Sequence, residues 1–408
     1  MKILYAIGVF LYSVLIRLAA NVNAKAKLRR KGVKSTFETL KNFNSENVIW
    51  LHCASLGEFE QGRPLIEKIK KQYPNYQIAL SFFSPSGYEI RRNYESADIV
   101  FYLPGDSPKN ARKIISFLKP KIVFFVKYEF WYWYIKELKN KQIPTYLISG
   151  IFRKNQIFFK FYGSFFRKIL KNFTHLFVQN KKSVDLLKSY GIANVTVAGD
   201  TRFDRVFEIS KNRKQFKIIE NFISDKFVFV AGSTWKPDED IIFNFINKQN
   251  IRNIKFIIAP HEIKNENINR ILNLTGKKII RYSECSDEHI ADADVMLIDN
   301  IGMLSSLYAY ANIAYIGGGF GAGIHNTLEA AVYGIPVLFG TNYHKFDEAK
   351  ELIKRKAGFS IAGKDEFDKL LQKFLNNPDF RIQSGKNAEI YVKENIGASE
   401  KILKAVNL

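Results

Sequence analysis

Short apolar runs that alternate with longer helical segments constrain the fold of this chain more than any other feature. Most of the runs are continuously apolar, which is typical of parallel strands that are buried on both faces. Helical segments such as 62–72, 108–118 and 181–190 lie between them. The pattern predicts repeated βα units and therefore an α/β fold with parallel sheets. The predicted strands are 47–55, 77–83, 98–103, 121–126, 143–149, 175–180, 195–199, 226–233, 254–260, 278–283, 294–299, 313–319 and 335–340.

The strands form two successive series, which predicts two domains. A chain of 408 residues, 47% of them hydrophobic, is too long for one ordinary core. A charged stretch at 202–225, which we expect to hold a helix and a linker, separates the two series. We expect two doubly wound domains with a cleft between them, and functional motifs directly after strands, where such sheets bind ligands. The expected parts are an anchor segment, a first domain, a linker, a second domain and a C-terminal helix, at 1–24, 25–205, 206–224, 225–390 and 391–408.

The positive charge of the chain is concentrated in its first half. The formal net charge is +23. Residues 1–205 contain 35 basic and 14 acidic residues, whereas residues 206–408 contain 27 and 25. Such a field attracts phosphate-rich partners, either nucleic acid or an anionic membrane. A lysine-rich composition by itself would explain the overall charge but not this asymmetry.

The N-terminal sequence favours an anionic membrane over nucleic acid as the partner of the basic half. Residues 3–16 form an uncharged, almost wholly apolar run, shorter than the roughly 20 residues that span a bilayer. A basic cluster follows at 25–34. The cluster argues against a cleaved signal peptide, because a dense positive block tends to stay cytoplasmic and suits anionic headgroups. We expect a membrane anchor or interfacial helix with a cytoplasmic body, and a buried first helix is the alternative.

Two acidic residues follow strands in this basic half. Glu58 lies in ASLGEF after the first strand, and Glu129 lies in KYEFWYWY after the fourth. A carboxylate at a helix start is stabilised by the helix dipole, but in a positive field it can also act as a general base on a substrate hydroxyl. Chemistry alone leaves both interpretations of Glu58 open, and Glu60 is an alternative base. The aromatic residues around Glu129 are common in sugar-binding sites.

Two further features of the first half point to anionic ligands. Arg202 follows the last strand of the first domain, where it would hold a carboxylate or phosphate through two hydrogen bonds or form a salt bridge between domains. Segment 158–170 interleaves phenylalanine with basic residues, which favours a patch for acyl chains and phosphates. The residues that we place in this acceptor and membrane patch are Phe158, Phe159, Lys160, Phe161, Arg167 and Lys168.

A glycine-rich stretch is the most informative motif of the second half. Residues 317–323 contain five glycines, and Asn326 and Glu329 follow at a predicted helix start. Glycines let backbone approach a ligand, and a helix N-terminus favours phosphate, although a capping pair would explain Asn326 and Glu329 alone. The stretch matches neither the GxGxxG motif of dinucleotide-binding domains nor GxxxxGK[ST]. A mononucleotide is therefore the expected ligand.

The cysteines and histidines predict neither a disulfide nor a metal site. Cys53 and Cys285 lie far apart in sequence, which argues for a reducing compartment. His52 neighbours Cys53, but the sequence has no CxxC and no second Cys/His pair at ligand spacing. We expect no metal and no cofactor.

Together, ASLGEFEQGRPLI, KYEFW, GDTRFD and IGGGFGAGIHNTLEAAVYGIPVLFG resemble the 3-deoxy-D-manno-octulosonic acid (Kdo) transferases of Gram-negative bacteria. The resemblance runs over nearly the whole chain. It implies a GT-B fold, with two Rossmann-like domains facing a cleft, and a metal-independent, inverting glycosyltransferase. Such an enzyme transfers Kdo from CMP-Kdo to the lipid A precursor (lipid IVA) in lipopolysaccharide biosynthesis, at the cytoplasmic face of the inner membrane, and nucleic acid is not among its partners.

The resemblance also implies roles for individual residues. Glu58 would be the general base, Glu129 would assist the transition state, and Arg202 stands where the family usually has lysine. Two stretches of the implied CMP site depart from the family, whose Pro-Arg-His and Met-Gly-Glu are Pro-His and Ile-Gly-Met here. The implied CMP-binding residues are Pro260, His261, Ile301, Gly302, Met303, Asn326, Thr327, Leu328 and Glu329.

Two other functions stay open from the sequence. The first is another GT-B enzyme that transfers or epimerises a UDP-sugar. The second is a basic membrane- or nucleic-acid-binding protein without catalysis. It would explain the charge and the apolar N-terminus, but neither the two acids after strands nor the glycine-rich stretch.

Overall fold

The computed structural model describes residues 1–248, 253–285 and 290–408, which divide into two compact units. The first unit comprises Met1–Arg205 and Ile396–Leu408, and the second comprises Val206–Asn395. Each unit is built on a seven-stranded sheet in which every pair of neighbouring strands is parallel. The two strand series of the sequence thus form two separate sheets, and the α/β fold class is confirmed.

The strands of the first unit are β1 (Val48–Cys53), β2 (Gln77–Phe82), β3 (Ile99–Tyr102), β4 (Ile122–Val126), β5 (Thr145–Gly150), β6 (His175–Val178) and β7 (Val195–Val197). Those of the second are β8 (Phe227–Thr234), β9 (Ile254–Pro260), β10 (Ile279–Arg281), β11 (Val295–Leu297), β12 (Ile313–Ile316), β13 (Val337–Gly340) and β14 (Gly358–Ile361). Every predicted strand is present. The sequence did not predict β14, because its four residues include two half-buried ones and form no continuous apolar run.

The α-helices are α1 (Lys2–Ala19), α2 (Ala24–Lys41), α3 (Leu56–Gln72), α4 (Pro85–Arg91), α5 (Pro108–Leu118), α6 (Tyr132–Asn140), α7 (Ser164–Leu170), α8 (Lys181–Ser189), α9 (Thr201–Lys211), α10 (Lys217–Ile223), α11 (Lys236–Lys248), α12 (Asn265–Leu272), α13 (Leu304–Leu307), α14 (Leu328–Ala331), α15 (Asp347–Lys354), α16 (Lys364–Asn376), α17 (Pro378–Asn395) and α18 (Ala398–Val406). Short 3₁₀ helices lie at Ile157–Phe159, Tyr282–Glu284, Ile290–Asp292 and Tyr308–Tyr310.

In each sheet the strand order reverses where the chain crosses from one side of its first strand to the other, and in the second sheet β11 also lies between β9 and β10. The order is β3-β2-β1-β4-β5-β6-β7 in the first sheet and β10-β11-β9-β8-β12-β13-β14 in the second. The reversal therefore falls between β1 and β4 in the first unit and between β8 and β12 in the second. Doubly wound sheets bind ligands outside the carboxyl ends of the strands at this point, so the segments that follow these four strands are the candidates for function.

Two segments contain more regular structure than the sequence analysis expected. Residues 202–225, expected to hold one helix and a linker, contain most of α9 and all of α10. Residues 391–408, expected to be one helix, contain the end of α17 and all of α18. Of these, α18 belongs to the first unit, because the chain returns to that unit at Ile396.

Helix α1 has the composition of a membrane-associated helix. Among the described residues it is the helix long and apolar enough to cross a membrane, by length and composition, and none of its residues is buried. Tyr5 nevertheless fixes it to the first unit, because the Tyr5 hydroxyl donates to Asp106 Oδ2 at 2.5 Å and its ring packs on Tyr132 and Phe165. The surface of α1 is therefore apolar, and the side that carries Tyr5 packs against the first unit.

A buried carboxylate anchors the returning C-terminal segment. Asp204 of α9 accepts hydrogen bonds from the backbone N–H of Gly397 at 2.5 Å and of Ser399 at 2.7 Å. The Ser399 N–H belongs to the first turn of α18, where helical donors lack partners within the helix. Asp204 thus caps α18 and connects it to the first unit.

We expect Asp204→Ala to lower the free energy of unfolding by about 1–3 kcal/mol, because it leaves two backbone donors without their acceptor. Chemical denaturation of the purified protein measures this change. Asp185→Ala, at an exposed position of α8, is the matched control and should change stability by less than about 0.5 kcal/mol. Equal stabilities of the two variants would contradict the capping role.

Candidate active site

Glu58 lies in the first turn of α3, directly beyond the carboxyl end of β1. Its carboxylate accepts a hydrogen bond from the backbone N–H of Ala54 at 2.5 Å. Burial, and next the nearby Glu129 carboxylate, raise the pKa of Glu58 to about 7, while the Ala54 N–H and the charge of Lys127 oppose this rise. A carboxyl group with a pKa near neutrality is suited to general base catalysis.

Glu60, the alternative base, has a different environment. Its carboxylate forms ion pairs with Arg91 at 3.0 Å, Arg205 at 3.7 Å and Arg63 at 3.9 Å. Residues two positions apart on an α-helix point in nearly opposite directions. Glu60 therefore belongs to an arginine cluster, and Glu58 is the acid that the structure places beside Glu129.

Glu129 follows β4 and is held by two side chains. His52 Nε2 lies 3.0 Å from Glu129 Oε2, and the indole N–H of Trp131 donates to the same oxygen. His52 lies on β1, whose register with β4 pairs it with Phe125. The pairing of β1 with β4 thus brings the segments that carry Glu58 and Glu129 together at the strand-order reversal.

A chain of buried polar groups continues from His52 into the sheet. His52 Nδ1 lies 2.9 Å from Ser81 Oγ, which accepts a hydrogen bond from the indole N–H of Trp50 at 2.8 Å. Ser81 Oγ also lies 3.5 Å from the carbonyl oxygen of Leu51. The two ring nitrogens of His52 thus contact Ser81 on one side and Glu129 on the other. These contacts hold both the imidazole and the carboxylate in place.

The sequence analysis did not identify His52, Ser81 or Lys127. A histidine within the apolar strand VIWLHC was the available signal, since a buried imidazole requires a hydrogen-bond partner. Lys127 adopts a left-handed backbone conformation, with φ at 65°. Such strain in a residue other than glycine costs on the order of 1–3 kcal/mol and tends to occur at functional sites. Its charge lowers the pKa of Glu58.

Arg202, the third predicted catalytic residue, forms hydrogen bonds and an ion pair with Asp200. Its Nε and Nη2 donate to Asp200 Oδ2 at 2.9 and 2.7 Å, and its backbone N–H donates to Asp200 Oδ1 at 3.0 Å. The Asp200 side chain is nearly buried. The arginine therefore forms a local salt bridge within the first unit.

The predicted patch at 158–170 is smaller than the sequence analysis expected. Phe158 and Phe159 are buried in the core of the first unit, and they are therefore not available to an external ligand. Arg167 Nη1 donates to the carbonyl oxygens of Phe158 and Lys160, so it stabilises the loop. Phe161 is 94% exposed, and Lys168 is also exposed.

In the second unit, three aromatic rings stack beyond β8 and β9. His261 stacks on both Trp235 and His325, with ring centroids 4.5 and 4.6 Å apart, respectively. The Trp235 indole N–H donates to His325 Nε2 at 3.2 Å. Burial, and next the neighbouring His261, lower the pKa of His325, which favours the neutral imidazole that accepts this bond.

Packing explains much of the glycine-rich stretch. A Cβ at Gly317 would lie 2.2 Å from the carbonyl oxygen of Ser233, and one at Gly319 would lie 2.5 Å from Gly340 Cα. The stretch passes between the ends of β8 and β13, where only glycine fits. The buried Asp238 holds it there by accepting from the Gly318 N–H at 2.9 Å.

The remaining predicted CMP-binding residues lie near the end of β9, beyond β11 and after the glycine-rich stretch. Thr327 is buried, and its hydroxyl has no hydrogen-bond partner among the described residues. Asn326 donates to Glu329 and accepts from the Leu328 N–H, as a capping residue does. The helix predicted here, α14, is a single turn. Pro260 and Met303 are buried, Ile301 is exposed and Gly302 has φ of 92°.

Comparison with known proteins identifies relatives for most of the chain. Residues 29–205 match the family described as 3-Deoxy-D-manno-octulosonic-acid transferase (kdotransferase). The 3-deoxy-D-manno-octulosonic acid transferase of Aquifex aeolicus is 29% identical over 354 residues, which cover 83% of this chain and 91% of that protein. Over most of its length, the chain is similar to Kdo transferases.

A second relative is a larger protein. The bifunctional glycosyltransferase/methyltransferase of Fusobacterium nucleatum is 27% identical over 418 residues, which cover 98% of this chain but 63% of that protein. Among solved structures, the putative UDP-N-acetylglucosamine 2-epimerase of Listeria monocytogenes has a TM-score of 0.61 and 14% identity, over 89% of this chain and 96% of that one. The structural likeness shows that this chain has a GT-B-like fold.

Because Glu58 is largely buried, we expect a variant that lacks its charge to be more stable than the wild type, by an amount that depends on pH. Because folding raises the pKa of Glu58 from 4.5 to about 7, the folded state loses stability as pH rises through that interval. Glu58→Gln should therefore be more stable than the wild type at pH 8, by up to about 3 kcal/mol, and this difference should shrink towards pH 5.

Thermal unfolding at several pH values measures the difference. Glu95→Gln, at an exposed position, is the control and should show no difference that depends on pH. A Glu58→Gln variant whose stability relative to the wild type is the same at pH 5 and pH 8 would contradict the raised pKa.

Proposed function

We propose that this chain is a glycosyltransferase that transfers Kdo from CMP-Kdo to the lipid A precursor lipid IVA. Glu58 supports the proposal most directly: it is a largely buried carboxylate with a pKa of about 7, at the strand-order reversal of the first unit. The similarity to Kdo transferases supports Kdo as the transferred sugar. The donor, the acceptor and the roles of individual residues are part of the proposal.

In the proposed reaction, Glu58 accepts the proton of an acceptor hydroxyl as that oxygen attacks the anomeric carbon of Kdo. The bond between that carbon and the phosphate oxygen of CMP breaks, and its electron pair leaves with CMP. The new glycosidic bond forms on the opposite face of the sugar, which inverts its configuration. General base catalysis of this kind contributes roughly 10²- to 10⁴-fold.

Glu129 has two effects in this mechanism. Its charge helps to raise the pKa of Glu58 into the range where a base is effective. Its carboxylate is also held in one orientation, because His52 and Trp131 contact one of its oxygens. Such a preorganised charge would stabilise positive charge that develops on the sugar as CMP leaves.

The second unit is the proposed donor site. His261 and Asn326 lie beyond strand ends next to the reversal between β8 and β12, and Thr327 offers a buried hydroxyl without a partner among the described residues. Hydroxyl, amide and imidazole groups suit the ribose and phosphate of CMP. The GT-B likeness to an epimerase has only 14% identity, so it supports the fold and not a UDP-sugar donor.

We also propose that α1 places the enzyme on the cytoplasmic face of the inner membrane. Its apolar surface is exposed, while Tyr5 holds its other side against the first unit. Such a helix suits the interface better than a free transmembrane span. The basic charge of the first half would attract anionic headgroups.

Replacing Glu58 tests the general base. Glu58→Gln should lower the rate of Kdo transfer at least about 100-fold and leave CMP binding unchanged, because the amide cannot accept the proton. Transfer from CMP-Kdo to lipid IVA, with products resolved by mass spectrometry, measures the rate, and calorimetry measures CMP binding. UDP-sugars supplied in parallel test the alternative donor class.

Glu60→Gln is the matched control. Because Glu60 is bound by arginines, this variant should keep transfer within about tenfold of the wild type. A Glu58→Gln enzyme with the wild-type rate, or a greater loss in Glu60→Gln, would contradict the assignment.

The neighbours of Glu58 predict opposite shifts in the pH profile. The wild-type kcat/KM should rise as pH increases through about 7, where Glu58 loses its proton. Lys127→Met removes a charge that lowers this pKa, and should move the profile to higher pH. Glu129→Gln removes a charge that raises it, and should move the profile to lower pH. Each shift should be on the order of one pH unit.

Profiles of kcat/KM from pH 5.5 to 9 for the three enzymes measure these shifts, with Glu95→Gln as a control that keeps the wild-type profile. Two variants that shift in the same direction would show that Glu58 does not control the profile.

A further inference from the structure

A cavity of about 1010 Å³ lies beside the candidate active site in the first unit. Its walls come from α1 and α2 and from the segments that follow β2, β3 and β4. The cavity is therefore at the carboxyl edge of the first sheet, the same edge that carries Glu58 and Glu129. Its volume is at the upper end of the roughly 300–1,000 Å³ that is usual for ligand pockets.

The wall of the cavity is mainly apolar. Ala6, Val9 and Phe10 of α1 face Val33 and Phe37 of α2 across it. These residues form a surface without hydrogen-bonding side chains, whereas sugar and nucleotide sites require polar groups. A hydrocarbon chain is the ligand that such a surface favours.

The cavity also carries positive charge. Arg17, Arg30 and Lys34 contribute to its lining and are exposed, and among the described residues no carboxylate forms an ion pair with any of the three. Arg29 is different, because it is buried and donates to the backbone oxygens of Phe83 and Leu103. The three exposed cations are thus available to an anionic group at the cavity.

The acidic residue in the lining, Asp106, already accepts hydrogen bonds from within the first unit. Asp106 accepts from the Tyr5 hydroxyl and from the backbone N–H groups of Trp133 and Tyr134. Burial raises its pKa to about 6, although these hydrogen bonds oppose the rise. Asp106 therefore contributes at most one negative charge, against the three exposed cations in the lining.

Aromatic contacts connect the cavity to the candidate active site. The Trp131 side chain lines the cavity and donates its indole N–H to Glu129. Phe83 packs on Trp131 with ring centroids 5.1 Å apart, and Tyr12 of α1 packs on Phe83 at 6.1 Å. A ligand in the cavity would thus touch the residue that orients Glu129.

We propose that this cavity binds an acyl chain of the acceptor lipid, and that Arg17, Arg30 and Lys34 hold a phosphate of that lipid. The inference rests on the proposed function, because it specifies how the acceptor is recognised. The acceptor is a better occupant than a bilayer phospholipid, because the cavity adjoins Glu129 through Trp131 and joins apolar walls to cations. Helix α1 is then part of the acceptor site as well as a membrane contact.

Filling the cavity tests the inference. The assay measures kcat/KM for Kdo transfer in detergent micelles, with lipid IVA and with its deacylated form as acceptors. An acyl chain that packs against the cavity wall makes van der Waals contacts that the deacylated acceptor lacks, so the wild type should prefer the acylated acceptor by at least about tenfold. Val9→Trp and Val33→Trp should lose most of this preference and keep wild-type activity on the deacylated acceptor.

Two further variants complete the design. Leu15→Trp introduces the same side chain at an exposed position of α1 that does not line the cavity, and should retain the wild-type preference. Arg30→Ser combined with Lys34→Ser should lower kcat/KM at least about tenfold for the phosphorylated acceptor, and much less for a dephosphorylated one.

The outcomes separate the inference from the proposed function. A wild type that transfers Kdo to neither acceptor would contradict the proposed function. If the wild type transfers Kdo but Val9→Trp and Val33→Trp keep its preference, or lose activity equally on both acceptors, the acyl site is wrong. If these variants lose only binding to phospholipid vesicles, the cavity holds a bilayer lipid, which also overturns the inference.

Discussion

The pairing of β1 with β4 is the constraint on which the candidate active site depends. The chain builds β1, β2 and β3 outwards in one direction, and then returns to place β4 on the other side of β1. Because the strands are parallel, their carboxyl ends lie at the same edge of the sheet. Glu58 and Glu129 follow these two strands, so two acids that are distant in sequence become neighbours, and each carboxylate changes the chemistry of the other.

Placing two carboxylates together in a partly buried edge costs free energy unless hydrogen bonds offset it. Glu58 has the Ala54 N–H, and Glu129 has the side chains of His52 and Trp131. The hydrogen bonds of His52 extend into the core through Ser81. The orientation of Glu129 is thus set by side chains that pack within the sheet, whereas the raised pKa of Glu58 shows that its burial is only partly compensated.

The second unit is also a parallel doubly wound sheet, but β11 lies between β9 and β10 and its candidate site has different chemistry. Its reversal lies between β8 and β12, and the glycine-rich stretch follows β12. Close backbone packing against β8 and Gly340 accounts for Gly317 and Gly319. The buried Thr327 hydroxyl is consequently a more specific indication of a ligand there than the number of glycines. The stacked rings of Trp235, His261 and His325 define the other side of this candidate site.

The sequence by itself determined the two parallel sheets, because continuous apolar runs report strands buried on both faces. It also placed Glu58 and Glu129 after strands, since that position is local along the chain. Only the tertiary structure decided that Glu60 pairs with arginines, that Phe158 and Phe159 are buried, and that His52 binds Glu129. These outcomes depend on which distant segments become neighbours, and the pattern of a single strand or helix shows which face is buried but not its partner.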